Sequence, residues 1–242
     1  MRYNNYFVFD GKPSTEFGLI ISGSSTWGSS EFDIGTEKVP GRNGDILSAH
    51  GRYKNFPMEY SNSAIVRNFH TLFPELRAFL LSHTNKYYKL EDTYHEDEFL
   101  KAVFDGSLSP TYDAYNDAGT VDIKFNAMPQ RWLKSGDRKH EVTSGTYIQN
   151  PTYFTAMPLI RVYGTGRLTV GDISVDISSD YKGPYMDLDS DKCDAYRGSE
   201  DANKYIETTN YEFPVFKGGE KTRIIFDSTI TKVEIIPRWW TI

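Results

Sequence analysis

Residues 91–98 carry the densest group of titratable side chains in the sequence, with five carboxylates and His95 among eight residues. Paired carboxylates near a histidine are the groups that general acid–base catalysis and glycoside hydrolysis use. A short acidic segment between two apolar runs is more often a solvated connection. We therefore interpret the segment as a turn, and a hydrolase that uses carboxylates of residues 91–98 stays open as an alternative function, which substitution of Glu91 or Glu96 would test.

Residues 187–191 place carboxylates at alternate positions, which is the opening spacing of a calcium-binding loop. Lys192 stands where that loop needs a glycine, and Gly198 stands where it needs a bidentate glutamate. The five histidines, at positions 50, 70, 83, 95 and 140, form no His-Glu-x-x-His motif and have no cysteine at metal-binding spacing. The sequence therefore predicts an acidic turn here, with no metal and no cofactor.

Nucleophilic and phosphate-binding motifs are missing from the sequence as well. The single cysteine, Cys193, has no identifiable base beside it, and no serine lies in a Gly-x-Ser-x-Gly motif. Residues 39–47 are rich in glycine but lack the Gly-Lys-Ser/Thr of a phosphate-binding loop. Their Pro-Gly and Asn-Gly pairs are typical of tight turns. We predict a loop there, no catalytic residues, and a protein that is not an enzyme.

Residues 125–133 divide the chain. An alternating apolar and polar run leads into them with the period of a half-buried strand, and Pro129 ends that strand. The end of the chain repeats the order of a strand, a proline and an Arg-Trp pair. A polar, glycine-containing linker is predicted at residues 135–140. The sequence therefore predicts two domains, residues 1–134 and residues 139–242.

The two halves differ in predicted secondary structure. Apolar runs at residues 6–9 and 17–21 predict strands, and residues 63–82 predict one or two short helices with Pro74 in a first turn. The buried helical face is expected to hold Leu76, Phe79 and Leu80. The second half alternates almost throughout, with a hairpin turn at Gly171-Asp172, and this pattern predicts a β-sandwich.

The composition excludes several classes of function. The 242 residues have a formal net charge of −6 with the acidic residues scattered, so the clustered Lys and Arg of a nucleic-acid-binding surface are missing. No run of about 18 apolar residues occurs, and the first residues lack the order of a signal peptide. One cysteine allows no intrachain disulfide. We expect synthesis in a cytoplasm, no sequence-specific nucleic acid and no membrane.

Seven short motifs follow one another along the chain: Phe-Asp-Gly-Lys-Pro-Ser at residues 9–14, Phe-Gly-Leu at 17–19, Val-Pro-Gly-Arg-Asn-Gly at 39–44, Leu-Glu-Asp-Thr-Tyr at 90–94, Phe-Asn-Ala-Met-Pro-Gln at 125–130, Pro-Leu-Ile-Arg-Val-Tyr-Gly-Thr-Gly at 158–166 and Pro-Arg-Trp-Trp at 237–240. In their order and in the length of the chain they resemble the distal tail proteins of long-tailed phages that infect Gram-positive bacteria. The resemblance covers essentially the whole chain.

The resemblance implies a mainly β protein with two parts. The first would be a β-rich, ring-forming belt domain with one or two short helices, and the second a galectin-like β-sandwich that projects outward. It implies a structural hub of the tail tip or baseplate in the virion, assembled as a homo-hexameric ring through which DNA passes. The implied partners are the tail tube protein, a tail-associated lysin or tail fibre protein, and receptor-binding proteins.

A ring needs two different patches on each subunit that meet head to tail. The aromatic and basic residues of the first half that we expect at such an interface are Trp27, Phe32, Arg42, Tyr53 and Phe56. The alternative function is a carbohydrate-binding module for host cell-wall polysaccharide, with stacking faces at Tyr181, Tyr185 and Tyr196. The sugar-binding pattern of galectins is not met, because Asn150-Pro151 is followed by Thr152 where that pattern has arginine.

Overall fold

The computed structural model describes residues 5–22 and 26–242 of the chain. The chain forms two compact units, and the boundary between them falls between Arg131 and Trp132. Unit 1 extends to Arg131 and includes Ile242, whereas unit 2 comprises Trp132–Thr241. Within the described residues, no helix is long and apolar enough to cross a membrane.

Unit 1 is built on one curled antiparallel sheet. The strands of the unit are β1 (Phe7–Phe9), β2 (Lys12–Pro13), β3 (Leu19–Ile20), β4 (Phe32–Glu37), β5 (Ile46–Tyr53), β6 (Phe56–Ile65), β7 (Tyr88–Asp92), β8 (Glu98–Phe104), β9 (Thr111–Asp113) and β10 (Ala118–Ala127). The sheet order is β2-β1-β7-β8-β10-β6-β3, with β9 pairing on β10, while β4 and β5 form a separate two-stranded sheet. A 3-10 helix at Ser14–Phe17 and the helix α1 (Phe69–Ser82) complete the unit.

The core of unit 1 follows from the alternation in β10. The residues of β10 that point inward are buried, and they are Val121, Ile123, Phe125 and Ala127. The ring of Phe125 makes edge-to-face contacts with Phe7 and Phe104, at 5.5 and 5.9 Å between ring centroids. Each fully buried aromatic side chain of this kind contributes about 1.5–3 kcal/mol by leaving water. The predicted strand is confirmed.

The helix α1 begins later than the sequence predicts, because residues 63–65 belong to β6. Pro74 is its sixth residue rather than part of the first turn, so this expectation was wrong. An interior proline costs about 3 kcal/mol because it removes a donor and crowds the preceding turn. Four buried side chains at helical spacing outweigh that cost at about 1.5–3 kcal/mol each, and they are Phe69, Phe73, Leu76 and Leu80.

Asp117 supports the start of α1 from outside the helix. Phe69 N donates to the Asp117 carbonyl at 3.0 Å, and His70 N donates to the Asp117 carboxylate at 3.2 Å. Asn68, which precedes the helix, has a φ of +56° and makes no capping bond with its side chain. A residue distant in sequence therefore supplies the acceptors that the first N–H groups of a helix need.

Unit 2 is a sandwich of two antiparallel sheets. After β11 (Arg131–Leu133), which crosses the boundary, its strands are β12 (His140–Val142), β13 (Tyr147–Gln149), β14 (Leu159–Gly164), β15 (Gly166–Val170), β16 (Ile173–Ile177), β17 (Met186–Asp189), β18 (Asp194–Arg197), β19 (Glu200–Asp201), β20 (Ile206–Thr208), β21 (Lys221–Phe226), β22 (Ile230–Ile236) and β23 (Trp240–Thr241). The sheet orders are β12-β22-β14-β17-β18-β19 and β13-β21-β15-β16-β20. Two 3-10 helices lie at Asn203–Tyr205 and Thr209–Tyr211.

The hairpin predicted at Gly171-Asp172 is present between β15 and β16, with Val170 paired to Ile173 across the turn. Gly171 has a φ of +61°, which glycine adopts at little cost. The register places Leu168 and Val175 in the buried layer between the sheets. The predicted mainly β fold class is confirmed for the described residues, with α1 as the one α-helix among them.

The segment expected to be a free linker is bonded to the end of unit 2. Leu133 N donates to the Trp239 carbonyl at 2.9 Å, and Arg238 N donates to the Gly136 carbonyl at 2.8 Å. A Cβ at Gly136 would lie 2.2 Å from Trp239 N, so this close approach requires glycine. The ring of Trp239 is buried and lies 5.3 Å from that of Phe216.

A network of charges stabilises the outer face of the six-stranded sheet. The buried carboxylate of Glu234 contacts Lys232 at 2.8 Å and Lys139 at 3.1 Å and accepts a hydrogen bond from the Tyr163 hydroxyl at 3.1 Å. The hydrogen bond from Lys232 lowers the pKa of Glu234 from 4.5 to about 2. On the same face Arg161 binds both oxygens of Asp187, at 2.6 and 2.8 Å.

We predict that Trp239→Ala lowers the free energy of unfolding of unit 2 by about 3–5 kcal/mol, because it removes a buried aromatic ring and leaves a cavity. Urea unfolding followed by circular dichroism measures this change. Tyr153→Ala is the control, since Tyr153 is exposed, and it should change stability by no more than about 0.5 kcal/mol. A Trp239→Ala variant as stable as the control would contradict the role of this ring.

We predict that Glu234→Gln destabilises unit 2 at pH 7 by about 1–3 kcal/mol, because two lysines lose a buried anionic partner. The folded-state pKa lies below the ordinary value of 4.5, so the stabilisation from Glu234 is complete above that pH and is lost as the pH falls toward 2. The difference between variant and native protein should therefore shrink from pH 5 to pH 2, with the exposed Glu207→Gln as control. A difference independent of pH would contradict the charge network.

Candidate interaction surface

The acidic segment at residues 91–98 holds one buried carboxylate, Asp92. It accepts hydrogen bonds from the Tyr60 hydroxyl, from the backbone N of Tyr94 and His95, and from His95 Nδ1, all at 2.9 Å. Burial, followed by the adjacent Asp92, raises the pKa of the Tyr60 hydroxyl well above its ordinary value. Both carboxylate oxygens of Asp92 are therefore occupied by hydrogen bonds that stabilise the turn.

Glu91 and Glu98 line a cavity of only about 10 Å³ beside His95, which is far too small to admit a substrate. Glu91 pairs with Lys89 at 3.5 Å, whereas Glu96 and Asp97 are exposed at the tip of the turn. No group of three His, Cys, Asp or Glu side chains that could hold a metal exists among residues 5–22 and 26–242. The hydrolase alternative thus gains no support from this geometry.

His95 instead supports an exposed tryptophan. The rings of Trp27 and His95 lie 4.5 Å apart, and Trp27 is 74% exposed. Arg131 fixes the backbone on both sides of Trp27, because its Nη2 donates to the carbonyls of Thr26 at 3.2 Å and Gly28 at 2.7 Å. Exposed and immobilised tryptophan is the kind of side chain that dominates the binding energy of protein interfaces.

Phe56 is not available for an interface, which corrects one of the five residues predicted there. It is 5% exposed and belongs to the core of unit 1, where the Arg131 guanidinium lies 5.4 Å from its ring. Phe56 is the first residue of strand β6, and its inward register follows from the alternation of that strand. The sequence could not indicate this, because an aromatic residue in a β pattern fits a core and an interface equally well.

Strands β4 and β5 form a hairpin that pairs with no other strand in the described part of the chain. Apolar side chains along it are exposed, namely Phe32, Ile34, Val39, Ile46 and Leu47, with Leu47 67% exposed. The connecting loop at residues 38–45 carries exposed Arg42 and has two glycines at φ of +81°, as the turn prediction requires. A two-stranded hairpin is marginally stable by itself in water, and exposed apolar surface of this kind is typical of interaction sites.

The base of the hairpin is held by aromatic and ionic contacts. Phe32 and Tyr53 make an edge contact at 4.9 Å between ring centroids. Asp33 contacts Arg52 at 2.8 Å and His50 at 3.4 Å, and the Arg52 hydrogen bond lowers the pKa of Asp33. Phe32 and Tyr53 thus join the two strands, whereas Trp27 and Arg42 lie at the surface.

The three tyrosines predicted for glycan stacking lie in different surroundings of unit 2. Tyr181 is 9% exposed and its hydroxyl donates to the Tyr185 carbonyl. The guanidinium of Arg161 covers the ring of Tyr185 at 4.2 Å. The hydroxyl of Tyr196 donates to Asp189 at 3.3 Å, and Lys192 lies 5.1 Å from its ring. They do not form one stacking platform.

Sequence comparison finds no matching family model and no matching curated protein. The fold, however, is similar to the crystal structure of the phage SPP1 Dit protein gp 19.1, described as a paradigm of the hub adsorption apparatus in phages infecting Gram-positive bacteria. The TM-score is 0.74 at 9% identity, over 98% of this chain and 99% of that chain. Two structures of the activated phage p2 baseplate, with strontium and with calcium, match at a TM-score of 0.53 and 10% identity over 96% of both chains.

We predict that Arg131→Met loosens the backbone around Trp27, because the two carbonyls lose hydrogen bonds to a charged donor worth about 1.5–3 kcal/mol each. Amide hydrogen exchange of the peptide that holds residues 26–28 should accelerate by at least about tenfold. Arg42→Met is the control, since Arg42 is exposed on the hairpin loop. Unchanged exchange in Arg131→Met would show that the guanidinium does not hold this segment.

Proposed function

We propose that this protein is a distal tail protein, the structural hub of a phage tail tip or baseplate, and not an enzyme. The observation that supports this most is the fold similarity to the SPP1 hub protein over almost the full length of both chains. The resemblance of the ordered sequence motifs supports the same function independently of the fold. The Asp92 carboxylate, bound by four donors within the turn, argues further for a structural role of the segment that looked most like a catalytic one.

In this proposal, residues 1–134 assemble into a homo-hexameric ring, and residues 139–242 form a galectin-like sandwich that contributes no ring contact. The exposed apolar hairpin of β4 and β5 supplies one patch, and the surface around Trp27 supplies the other. Head-to-tail contact of two different patches is what a closed cyclic ring requires. Burying the apolar side chains of the hairpin would stabilise the ring at about 25 cal/mol for each Å² of apolar surface removed from water.

The proposed location is the tail tip of the virion, after synthesis in the bacterial host cytoplasm. The ring would join the tail tube protein to a tail-associated lysin or tail fibre protein and to receptor-binding proteins. DNA would pass through the ring, and a net charge of −6 suits that passage because unpaired Lys and Arg would retain the phosphates. No cofactor, metal or membrane takes part in this function.

We predict that the purified protein forms six-fold rings in negative-stain micrographs and has the molar mass of a hexamer by light scattering. Leu47→Asp places a charge on the exposed apolar hairpin and should weaken assembly by at least about 100-fold, because burying an unpaired carboxylate costs several kcal/mol. Ile225→Asp is the matched control, since Ile225 is an exposed apolar residue on a strand of unit 2. This variant should assemble normally.

Three results would contradict the proposed ring or its placement in residues 1–134. The native protein could stay monomeric at high concentration, it could form a closed dimer, or Ile225→Asp could abolish assembly while Leu47→Asp leaves it intact. The third result would place the interface on unit 2 and reverse the proposed division of labour.

A further inference from the structure

Unit 2 contains a half-open cleft of about 440 Å³ between the loop after β16 and the segment that runs from β18 to the 3-10 helix Asn203–Tyr205. We call it the tyrosine–lysine cleft, and its principal side chains are Tyr181, Lys182, Arg197, Glu200, Lys204 and Tyr205. Its volume falls in the range of small-molecule sites. The proposed ring contacts lie in unit 1 and do not involve this cleft.

The walls of the cleft are rigidly placed. The rings of Tyr181 and Tyr205 lie 5.4 Å apart between centroids, and the hydroxyl of Tyr181 is bound by a backbone carbonyl. Gly183 allows this arrangement, because a Cβ there would lie 2.5 Å from the Tyr181 ring. The buried backbone of Ala202 is tied to β18 by a hydrogen bond of 2.8 Å to the Ala195 carbonyl. Two tyrosine rings thus form a preformed aromatic wall.

Positive charge exceeds negative charge in the cleft. Arg197 is paired with Glu200. Lys182 donates to the Ser179 carbonyl at 2.6 Å, and Lys204 lies 4.9 Å from the ring of Tyr205. Among the described residues, neither lysine has a carboxylate within ion-pair distance. The cleft thus carries three cationic and two anionic side chains, and its two ammonium groups have no carboxylate at ion-pair distance in the described part of the chain, in a protein whose net charge is −6.

The chemistry of the cleft selects one class of ligand. Unpaired ammonium groups attract a phosphate or a carboxylate. The carboxylates of Glu200 and Asp201 would repel a bare anion, but they can accept hydrogen bonds from sugar hydroxyl groups. The apolar face of a sugar ring can pack against Tyr205, whose ring is half-buried.

We propose that the tyrosine–lysine cleft binds an anionic saccharide, one that carries a phosphate or a carboxylate. The anionic group lies between Lys182 and Lys204, the sugar ring contacts Tyr205, and the hydroxyl groups donate to Glu200 and Asp201. This site includes Tyr181 as its rear wall, whereas Tyr185 and Tyr196 take no part in it. Binding here goes beyond the hub function, and ring assembly and saccharide binding are measured separately.

The test titrates the full-length protein with four probes, followed by NMR or calorimetry: glucose 1-phosphate, glucuronate, glucose and inorganic phosphate. We expect saturable binding of at least one anionic sugar with a Kd of about 1 mM, and at least about fivefold weaker binding of glucose and of phosphate. The two anionic probes distinguish a phosphate from a carboxylate as the preferred group.

The double variant Lys182→Gln, Lys204→Gln should weaken binding of the anionic sugar by about tenfold or more and leave the thermal midpoint unchanged, because both side chains are exposed. Lys221→Gln is the matched control, since Lys221 is an exposed lysine outside this cleft. It should bind like the native protein. Binding should also weaken as salt rises from about 50 to 300 mM.

Four outcomes would overturn the proposal. Glucose could bind as tightly as its anionic relatives, which would remove the role of the lysines. Inorganic phosphate could bind as tightly as glucose 1-phosphate, which would leave no sugar site. The double variant could bind like the native protein, or no probe could saturate the protein at about 20 mM, a concentration far above the expected Kd.

Discussion

The buried carboxylate of Asp92 is the constraint on which the exposed face of unit 1 depends. A buried charge must be met by donors, and this one is met by a tyrosine, a histidine and two backbone N–H groups. These bonds shape the turn and fix the ring of His95, and His95 in turn supports Trp27. A cluster whose residue types suit acid–base catalysis thereby holds an aromatic side chain at the surface.

The two units satisfy their polar groups in different ways. Unit 1 concentrates them in the Asp92 turn and in Arg131, whose guanidinium bonds two carbonyls and pairs with Glu98 at 3.7 Å. Unit 2 distributes them over the outer face of its six-stranded sheet, where lysines and arginines meet Glu234, Asp187 and Asp189. The cations of that face are paired with carboxylates, whereas Lys182 and Lys204 of the tyrosine–lysine cleft are not paired with any described residue, and this contrast supports the proposed ligand site.

An exposed apolar hairpin and an exposed tryptophan are costly for a monomer, and the cost is consistent with an assembly in which both become buried. The hairpin of β4 and β5 makes few contacts outside itself, yet ionic contacts at Asp33 preserve its shape. Because the hairpin is already ordered, assembly loses less conformational entropy. It gives a physical reason for the exposed apolar surface of this hairpin.

The sequence by itself determined the strands with clear alternation, the Gly171-Asp172 hairpin, the mainly β class and the lack of catalytic motifs, since these depend on local period and turn chemistry. The late start of α1 at Phe69 was decided by tertiary structure, because Asp117 supplies acceptors for the first N–H groups of the helix. Burial of the apolar helix face offsets the cost of the interior Pro74. Tertiary structure also decided that Phe56 is core, that residues 133–136 bond to the C-terminal strand region, and that Arg131 holds Trp27. Each of these depends on partners far away in sequence, which no local pattern specifies.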